Sequence, residues 1–319
     1  MKRIIALILA TAFQGPTVVE YQLPRAGAFP HDPAVARDGT VWYTDQRNSY
    51  IGRLDPASGK VTDYPTPTAA SGPHGIIVAP DGAVWYTGNA KGLIGRVDPA
   101  TGTIKEFPLP EAVRDPHTPV FHAGKIWFTA QGANLYGWLD PASSTVKTFP
   151  LRTPGARPYG LVGGPDGSLW MALLGTNKID LINPADGSLR EYTLPDSGAR
   201  PRRLQVDAKD IVWYTDFARG YLGRLDPASG RVREFASPGG SGSGPYGIAI
   251  APDGRIWYDE SGKNTIVMFD PASERMQTVA IPTAGAIVRN MTVDSTRGRL
   301  WLALSGTQRL GRIDLSSGR

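Results

Sequence analysis

Seven of the eight tryptophans recur at a nearly constant interval, and this periodicity restricts the possible folds more than any other feature of the sequence. The intervals are 43, 42, 43, 43, 44 and 44 residues, and each tryptophan lies in a short apolar segment such as VWYTD or KIWFTA. A repeat of this length is one structural unit that buries its apolar face against its neighbours. The series consists of Trp42, Trp85, Trp127, Trp170, Trp213, Trp257 and Trp301.

Each repeat contains four short strand patterns separated by turn sequences. An apolar strand such as GIIVA is followed by PDG, the tryptophan strand, a polar bend, a strand such as LIGRVD, the turn PASG, and a strand such as KEFPLP. Proline, aspartate and glycine supply the backbone conformations that tight hairpin turns need. A four-stranded repeat of this length is typical of a propeller blade. The sequence therefore predicts an all-β, seven-bladed β-propeller with antiparallel blades and with the tryptophans packed between adjacent sheets.

The last repeat lacks its fourth strand, and the beginning of the chain contains a matching one. Residues 18–24, VVEYQLP, are expected to pair with residues 310–315 and so complete the last blade. Closing the ring in this way removes two exposed sheet edges. We predict a single propeller domain over residues 15–319.

Residues 1–14 have the features of an export signal, which predicts a periplasmic or secreted protein. Lys2 and Arg3 precede an apolar run that ends near a pair of small residues. The run is too short to span a bilayer as a helix. The chain has no cysteine, which excludes disulfides and thiol catalysis. Its net charge of +5 is spread over all repeats, so no nucleic-acid partner is predicted, and we expect a monomer.

One position at the start of each innermost strand carries only histidine, tyrosine or arginine. It follows a proline in six repeats, as in GPHGI and RPYGL, and recurs every 42 to 44 residues. Equivalent positions in a propeller meet at one mouth of the central channel, so we predict a ring that binds a small polar ligand there. The alternative is that these residues only cap the strands. The ring consists of His31, His74, His117, Tyr159, Arg202, Tyr246 and Arg289.

Carboxylates are expected near the same mouth, from the bends that follow the tryptophan strands and from Asp115, two residues before His117. The bend residues are Asp45, Asp216, Asp259 and Glu260. Oxygen ligands of this kind suit Mg²⁺ or Ca²⁺, and a carboxylate beside a histidine can also orient it as a base. Solvated loop carboxylates are the commoner explanation for each residue taken alone.

The repeat, GPHGI followed by PDG, WYT, IGR and PLP, resembles the streptogramin lyase (virginiamycin B lyase) family from Val18 to Gly318. The resemblance implies a carbon–oxygen lyase that opens a cyclic depsipeptide by elimination at its ester bond, using a divalent metal, usually Mg²⁺, and a histidine base. A metal stabilises the charge that develops when a proton α to a carbonyl is removed.

Carried onto this sequence, the resemblance makes His117 the base, His74 a second base or electrophile, and Asp115 and Gln131 the residues toward the metal. The family motif has glutamate where Asp115 and Gln131 stand, and the changes shorten one ligand and remove the charge of another. The family also carries these groups in its last two blades, where this chain has Tyr246, Ile287 and Arg289. The lyase site is therefore either lost or displaced around the ring to His74 and His117.

Two further functions remain open at this stage. One is a non-catalytic exported propeller that binds an anionic or sugar-like ligand, or a peptide, through Arg202, Arg289, Tyr159 and Tyr246, because guanidinium groups beside aromatic faces suit carboxylates. The other is a Ca²⁺-dependent lactonase that uses Glu260, Asp216 and Asp45. A scarcity of asparagine at the mouth counts against the second.

Overall fold

The computed structural model describes residues 16–315, and these form one closed ring of seven four-stranded antiparallel sheets. The predicted all-β, seven-bladed propeller is confirmed. The predicted export segment, residues 1–14, lies outside the described residues. Within the described part of the chain, no helix is long and apolar enough to cross a membrane.

In blades 1 to 6 the strands follow the chain from the channel outward. Blade 1 consists of β2 (Pro30–Val35), β3 (Val41–Asp45), β4 (Tyr50–Leu54) and β5 (Val61–Pro65). Blade 2 consists of β6 (Pro73–Val78), β7 (Val84–Gly88), β8 (Leu93–Val97) and β9 (Ile104–Pro108). Blade 3 consists of β10 (Pro116–His122), β11 (Lys125–Ala130), β12 (Leu135–Asp140) and β13 (Thr145–Pro150). Blade 4 consists of β14 (Pro158–Gly163), β15 (Leu169–Leu173), β16 (Lys178–Ile182) and β17 (Leu189–Thr193).

The remaining blades repeat this order. Blade 5 consists of β18 (Pro201–Val206), β19 (Val212–Asp216), β20 (Tyr221–Leu225) and β21 (Val232–Ala236). Blade 6 consists of β22 (Pro245–Ile250), β23 (Ile256–Glu260), β24 (Thr265–Asp270) and β25 (Arg275–Ala280). Blade 7 consists of β26 (Val288–Asp294), β27 (Arg299–Leu304), β28 (Arg309–Asp314) and, from the start of the chain, β1 (Val18–Gln22). Single 3-10 turns occur at Gln131–Ala133, Gly240–Gly242 and Ser305–Thr307.

The ring closes as the sequence predicted. Strand β1 pairs with β28 in antiparallel register, with Val18 opposite Ile313 and Gln22 opposite Arg309. Thr283, in the loop between blades 6 and 7, donates from its hydroxyl and its backbone N–H to the Glu20 carboxylate. The first strand is therefore held by its own blade and by the loop that enters that blade.

The predicted role of the seven tryptophans is also confirmed. Each is at most 3% exposed and lies in an apolar cluster shared with the following blade. Trp42 of blade 1, for example, packs with Ile76 and Val84 of blade 2. Trp301 packs with Val41 of blade 1 and so seals the last interface of the ring. Burial of these large aromatic surfaces is a main source of the attraction between blades.

A β-bulge interrupts the start of every innermost strand. In blade 1, Pro30 pairs with Asp45 and Pro33 with Tyr43, so that two residues of β2 face one of β3. The same shift of register occurs in the other six blades. A bulge of this kind changes the direction in which the side chains of its strand point.

A threonine on the tryptophan strand fastens the bulge in four blades. Thr87 in blade 2 accepts a hydrogen bond from the Gly75 N–H at 3.0 Å and donates its own hydroxyl to the His117 carbonyl of blade 3 at 2.7 Å. Its equivalents, each with the same two bonds, are Thr44, Thr129 and Thr215. One buried hydroxyl thus joins the bulge of its own blade to the ring residue at the start of the next innermost strand.

We expect Thr87→Val to destabilise the protein by about 2 to 4 kcal/mol, because it leaves a buried N–H and a buried carbonyl without partners while keeping the shape of the side chain. Thr87→Ser, which retains the hydroxyl, should cost less than half as much. Urea unfolding followed by tryptophan fluorescence measures both. Equal losses in the two variants would show that packing of the methyl group, and not the hydroxyl, matters here.

Candidate functional site

The seven ring residues predicted from the sequence lie together at one mouth of the channel. Each is the first residue of the bulge in its innermost strand, and all seven line one cavity of about 410 Å³. Asp115 and Gln131 line the same cavity, together with Phe29, Gln46, Arg47, Asn89, Arg157 and Leu174. The cavity is open to one side and predominantly polar in its lining.

Four rings form a continuous overlapping row along one side of the mouth. The ring centroids are separated by 3.8 Å between His31 and His74, by 3.6 Å between His74 and His117, and by 3.8 Å between His117 and Tyr159. Each of the four side chains is buried. The innermost strands of adjacent blades begin side by side. Consecutive ring residues therefore come into contact although they are over 40 positions apart in the chain.

Burial lowers the pKa of all three histidines, well below the usual range for His74 and His117. Neighbouring cationic groups, mainly Arg203, lower the pKa of His117 further. The imidazoles are therefore neutral near pH 7. His31 Nδ1 contacts Asp32 at 2.9 Å and His117 Nδ1 contacts the Thr118 hydroxyl at 3.1 Å.

His74 differs from its neighbours because its Nδ1 atom is buried and has no hydrogen-bond partner among the described residues. A neutral imidazole with an unpaired nitrogen can bind a ligand's N–H or O–H, or accept a proton during a reaction. A buried polar atom without a partner is uncommon in native proteins and often marks a functional position.

Arginine and tyrosine form the other side of the mouth. The guanidinium of Arg202 lies 3.7 Å from the centroid of the Tyr246 ring and donates to the Tyr159 hydroxyl at 3.1 Å. The hydroxyl groups of Tyr159 and Tyr246 are hydrogen-bonded to each other. The Nε atoms of Arg202 and Arg289 are buried without a partner among the described residues. The tyrosines hold Arg202 in place without neutralising its charge.

A second layer, directly below the mouth, was missed by the sequence analysis. Arg203 donates to both oxygens of Asp32, at 2.9 and 3.0 Å, although the two residues are 171 positions apart. Asn290 donates to the same carboxylate at 3.0 Å. These are the second residues of their bulges, and the repeat position they share also carries Gly75, Thr118, Gly160 and Gly247. The sequence did contain an indication of this ion pair, because an aspartate and an arginine occur at a repeat position that otherwise carries small residues or asparagine.

The residues carried over as metal ligands do not fit a divalent cation well. The Asp115 carboxylate accepts hydrogen bonds from Asn89 on one oxygen and from Gln131 on the other, at 2.9 Å in the second case. The Gln131 carbonyl oxygen in turn accepts from the Arg157 guanidinium at 3.0 Å. Burial raises the pKa of Asp115, which further weakens it as a ligand. One carboxylate beside a bound guanidinium is a poor donor set for Mg²⁺.

A second group of possible ligands, His31, Asp32 and His74, has ligand atoms within 4.8 Å of one another. Both Asp32 oxygens, however, already accept from Arg203. A metal ion placed there would lie against a buried guanidinium, so this cluster is better explained as part of the cross-channel ion pair.

None of the four bend carboxylates lines the cavity, and Asp45, Asp216 and Glu260 share one role. Each is buried and accepts hydrogen bonds from the backbone of its entering loop: Asp45 from Phe29 N–H, Asp216 from Arg200 N–H, and Glu260 from Gly239 N–H. Asp259 likewise accepts from the Gly247 N–H and takes the place that threonine has in other blades. These carboxylates shape the loops of the mouth.

The balance of charge at the mouth is strongly positive. Arg47, Arg157, Arg202 and Arg289 line the cavity, against the single carboxylate of Asp115. None of the four arginines forms an ion pair with a carboxylate in the described part of the chain. Because the histidines are neutral, the arginines dominate the electrostatic potential in the cavity.

Comparison with known proteins agrees with the repeat. The sequence profile described as the Virginiamycin B lyase family matches residues 9–179 and 144–318. No curated protein sequence matches the chain. A solved streptogramin B lyase superposes with a TM-score of 0.87 at 26% identity, covering 94% of this chain and 98% of the other.

Two solved structures from Staphylococcus aureus are similarly close. Virginiamycin B lyase, in selenomethionine form, gives a TM-score of 0.87 at 25% identity, covering 94% of this chain and 100% of the other. A catalytically inactive histidine-to-alanine variant of that enzyme, with quinupristin, gives 0.88 at 25% identity with the same coverage. Two more distant solved structures, at 14% identity, are similar in fold alone.

We expect the imidazoles of His74 and His117 to remain neutral on acidification to well below pH 6.5, since burial disfavours their charged forms. Histidine carbon–proton correlation spectra recorded between pH 8 and pH 4.5, with assignment by His→Gln variants, measure the titration of each ring. A midpoint at or above pH 6.5 for either residue would contradict the buried, neutral row of rings.

Proposed function

Because the chain belongs to the virginiamycin B lyase family, we propose that its mouth cavity binds a small molecule and that this ligand carries a carboxylate or a comparable anionic group. The observation that carries the proposal is the set of four arginines facing one carboxylate. A volume of about 410 Å³ is within the range of small-molecule sites.

Arg202 is the residue best prepared to bind the anion. The Tyr159 hydroxyl and the Tyr246 ring fix its guanidinium, and its Nε donor has no partner among the described residues. A planar guanidinium with free donors binds carboxylate oxygens in pairs, and little entropy is lost because the side chain is already ordered. Arg289, two blades further along the chain, supplies a second guanidinium whose Nε has no partner among the described residues.

We expect glutarate, used as a probe, to bind to the full chain and to lose at least about tenfold in affinity in Arg202→Gln, because one charge-assisted hydrogen-bond pair is removed. Binding should be unchanged by chelator. Isothermal titration calorimetry at low ionic strength measures both effects.

Arg231→Gln is the matched control, since it removes the same charge from an exposed turn outside the mouth. Cadaverine, a diamine of the same chain length, is the control ligand and should not compete with glutarate. Preference for the diamine over glutarate, or equal affinity in Arg202→Gln, would rule out the anion site.

A second candidate is a carbon–oxygen lyase that works without a divalent metal, and the unpaired Nδ1 of His74 favours it. The imidazole would take the proton α to a carbonyl, the C–H electron pair would form a C=C bond, and the ester C–O bond would break with loss of a carboxylate. A guanidinium such as that of Arg202 would stabilise the leaving carboxylate. The same cationic mouth would therefore serve an elimination at an ester as well as binding.

If the chain is such a lyase, we expect ring opening of quinupristin, with unchanged mass, in the presence of chelator and its loss in His74→Gln. Chromatography with mass spectrometry follows the linear product, and His122→Gln controls for the loss of a histidine outside the cavity. Turnover that requires added Mg²⁺ would contradict the metal-free arrangement, and absence of turnover would leave ligand binding as the function of the mouth.

A further inference from the structure

A second cavity, with a more apolar lining than the mouth, lies between blades 3 and 4. Its volume is about 520 Å³. Blade 3 contributes Tyr136, Phe149 and Leu151, and blade 4 contributes Leu173, Asp180 and Glu191. We call it the inter-blade cleft. Its walls are mainly apolar, and its two carboxylates come from neighbouring strands of one blade.

The cleft occurs where blade 4 departs from the pattern of the other blades. Blades 1, 2 and 5 have a tyrosine on the tryptophan strand that packs over a glycine of the next strand, as Tyr86 does over Gly95. The Tyr86 hydroxyl donates to Glu106 on the outermost strand at 2.8 Å. In blade 4 the same three positions are Met171, Asp180 and Glu191. Glu191 therefore lacks the tyrosine donor, and a carboxylate stands where a glycine would be.

Asp180 is buried, and no hydrogen bond from the described part of the chain compensates its charge. Its residue surface is 1% exposed, and its Oδ1 has no partner among the described residues. Glu191, directly opposite on the next strand, is instead bound to Lys178 at 2.6 Å and to the Thr153 hydroxyl at 3.2 Å. A buried carboxylate without a donor is costly, and a like charge opposite adds to the cost.

We propose that the inter-blade cleft binds a small organic cation, with a primary or secondary ammonium group held by Asp180 and an aromatic or aliphatic body against Tyr136, Phe149 and Leu151. An ammonium group supplies the missing donors and neutralises the unpaired charge. The two carboxylates of the cleft disfavour an anion, and a neutral ligand could donate a hydrogen bond to Asp180 but would leave its charge uncompensated.

Burial, followed by repulsion from Glu191, raises the pKa of Asp180 to about 7. The other charged or titratable groups around the cleft are Tyr136, Arg152, Lys178 and Asp186. Since a cation binds the ionised carboxylate, affinity should rise as pH increases toward the pKa of Asp180 and level off above it. Because protons compete with the cation for the carboxylate, the affinity should fall by up to about tenfold for each pH unit below that pKa.

The test is binding of 2-phenylethylamine to the full chain, measured by calorimetry at pH 6 and pH 8 and mapped by amide NMR shifts. We expect saturable binding that is tighter at pH 8, with shifts in blades 3 and 4. Asp180→Asn should weaken it at least tenfold. Asp210→Asn, which removes the same charge from an exposed turn of blade 5, should leave it unchanged, as should Arg202→Gln at the mouth. The anion 3-phenylpropionate should not compete.

Folding of the variant is checked in the same experiment. Asp180→Asn should raise the thermal midpoint more at pH 8 than at pH 4, because ionisation of the buried carboxyl destabilises the folded chain as pH rises from about 4 through 7. If the asparagine variant does not fold, Asp180→Gly replaces it, since five blades carry glycine at this position. Undiminished binding in the folded variant, shifts confined to the mouth, or no binding to the unaltered chain would overturn the proposal.

Discussion

The mouth of this propeller depends on a hydroxyl group that each of four tryptophan strands places beside its innermost strand. The threonine hydroxyl accepts a hydrogen bond from a backbone N–H in the bulge of its own blade and donates one to the carbonyl of the ring residue in the next blade. These two bonds set the conformation of the bulge and the distance between consecutive ring residues. Tryptophan packing brings the blades together, but it is not directional. The hydroxyl fixes the position of the innermost strands closely enough for His31, His74, His117 and Tyr159 to overlap.

The internal repeat was sufficient to predict the blade number, the strand order, ring closure by the first strand and the gathering of the ring residues. Each follows from equivalence among repeats, which one sequence displays internally. Contacts that occur between only two particular blades could not be predicted from the sequence. The pair of Asp32 and Arg203 joins opposite blades across the channel, and neither the spacing nor the chemistry of one repeat identifies the partner.

The bend carboxylates illustrate a different difficulty. Asp45, Asp216 and Glu260 stand at the right end of their strands to reach the mouth, and the sequence suggested them as ligands. The loops that enter the innermost strands have backbone N–H groups with no sheet partner, however, and these carboxylates accept from them. A carboxylate that satisfies a buried N–H is indistinguishable in sequence from one that faces solvent or a ligand.

The pairing of β1 with β28 has a consequence for biosynthesis. The strand that completes the final blade is made almost 300 residues before the strand with which it pairs. At ordinary translation rates the early strand waits roughly 15 to 60 s before that partner exists. During this interval an unpaired edge is available to other chains, and Glu20 within the strand and Arg25 just after it supply charge that discourages such pairing. The first and last described strands also lie in the same blade. Circular permutation that moves the chain ends to another inter-blade loop would therefore preserve the contacts between blades and change which strand is made long before its partner.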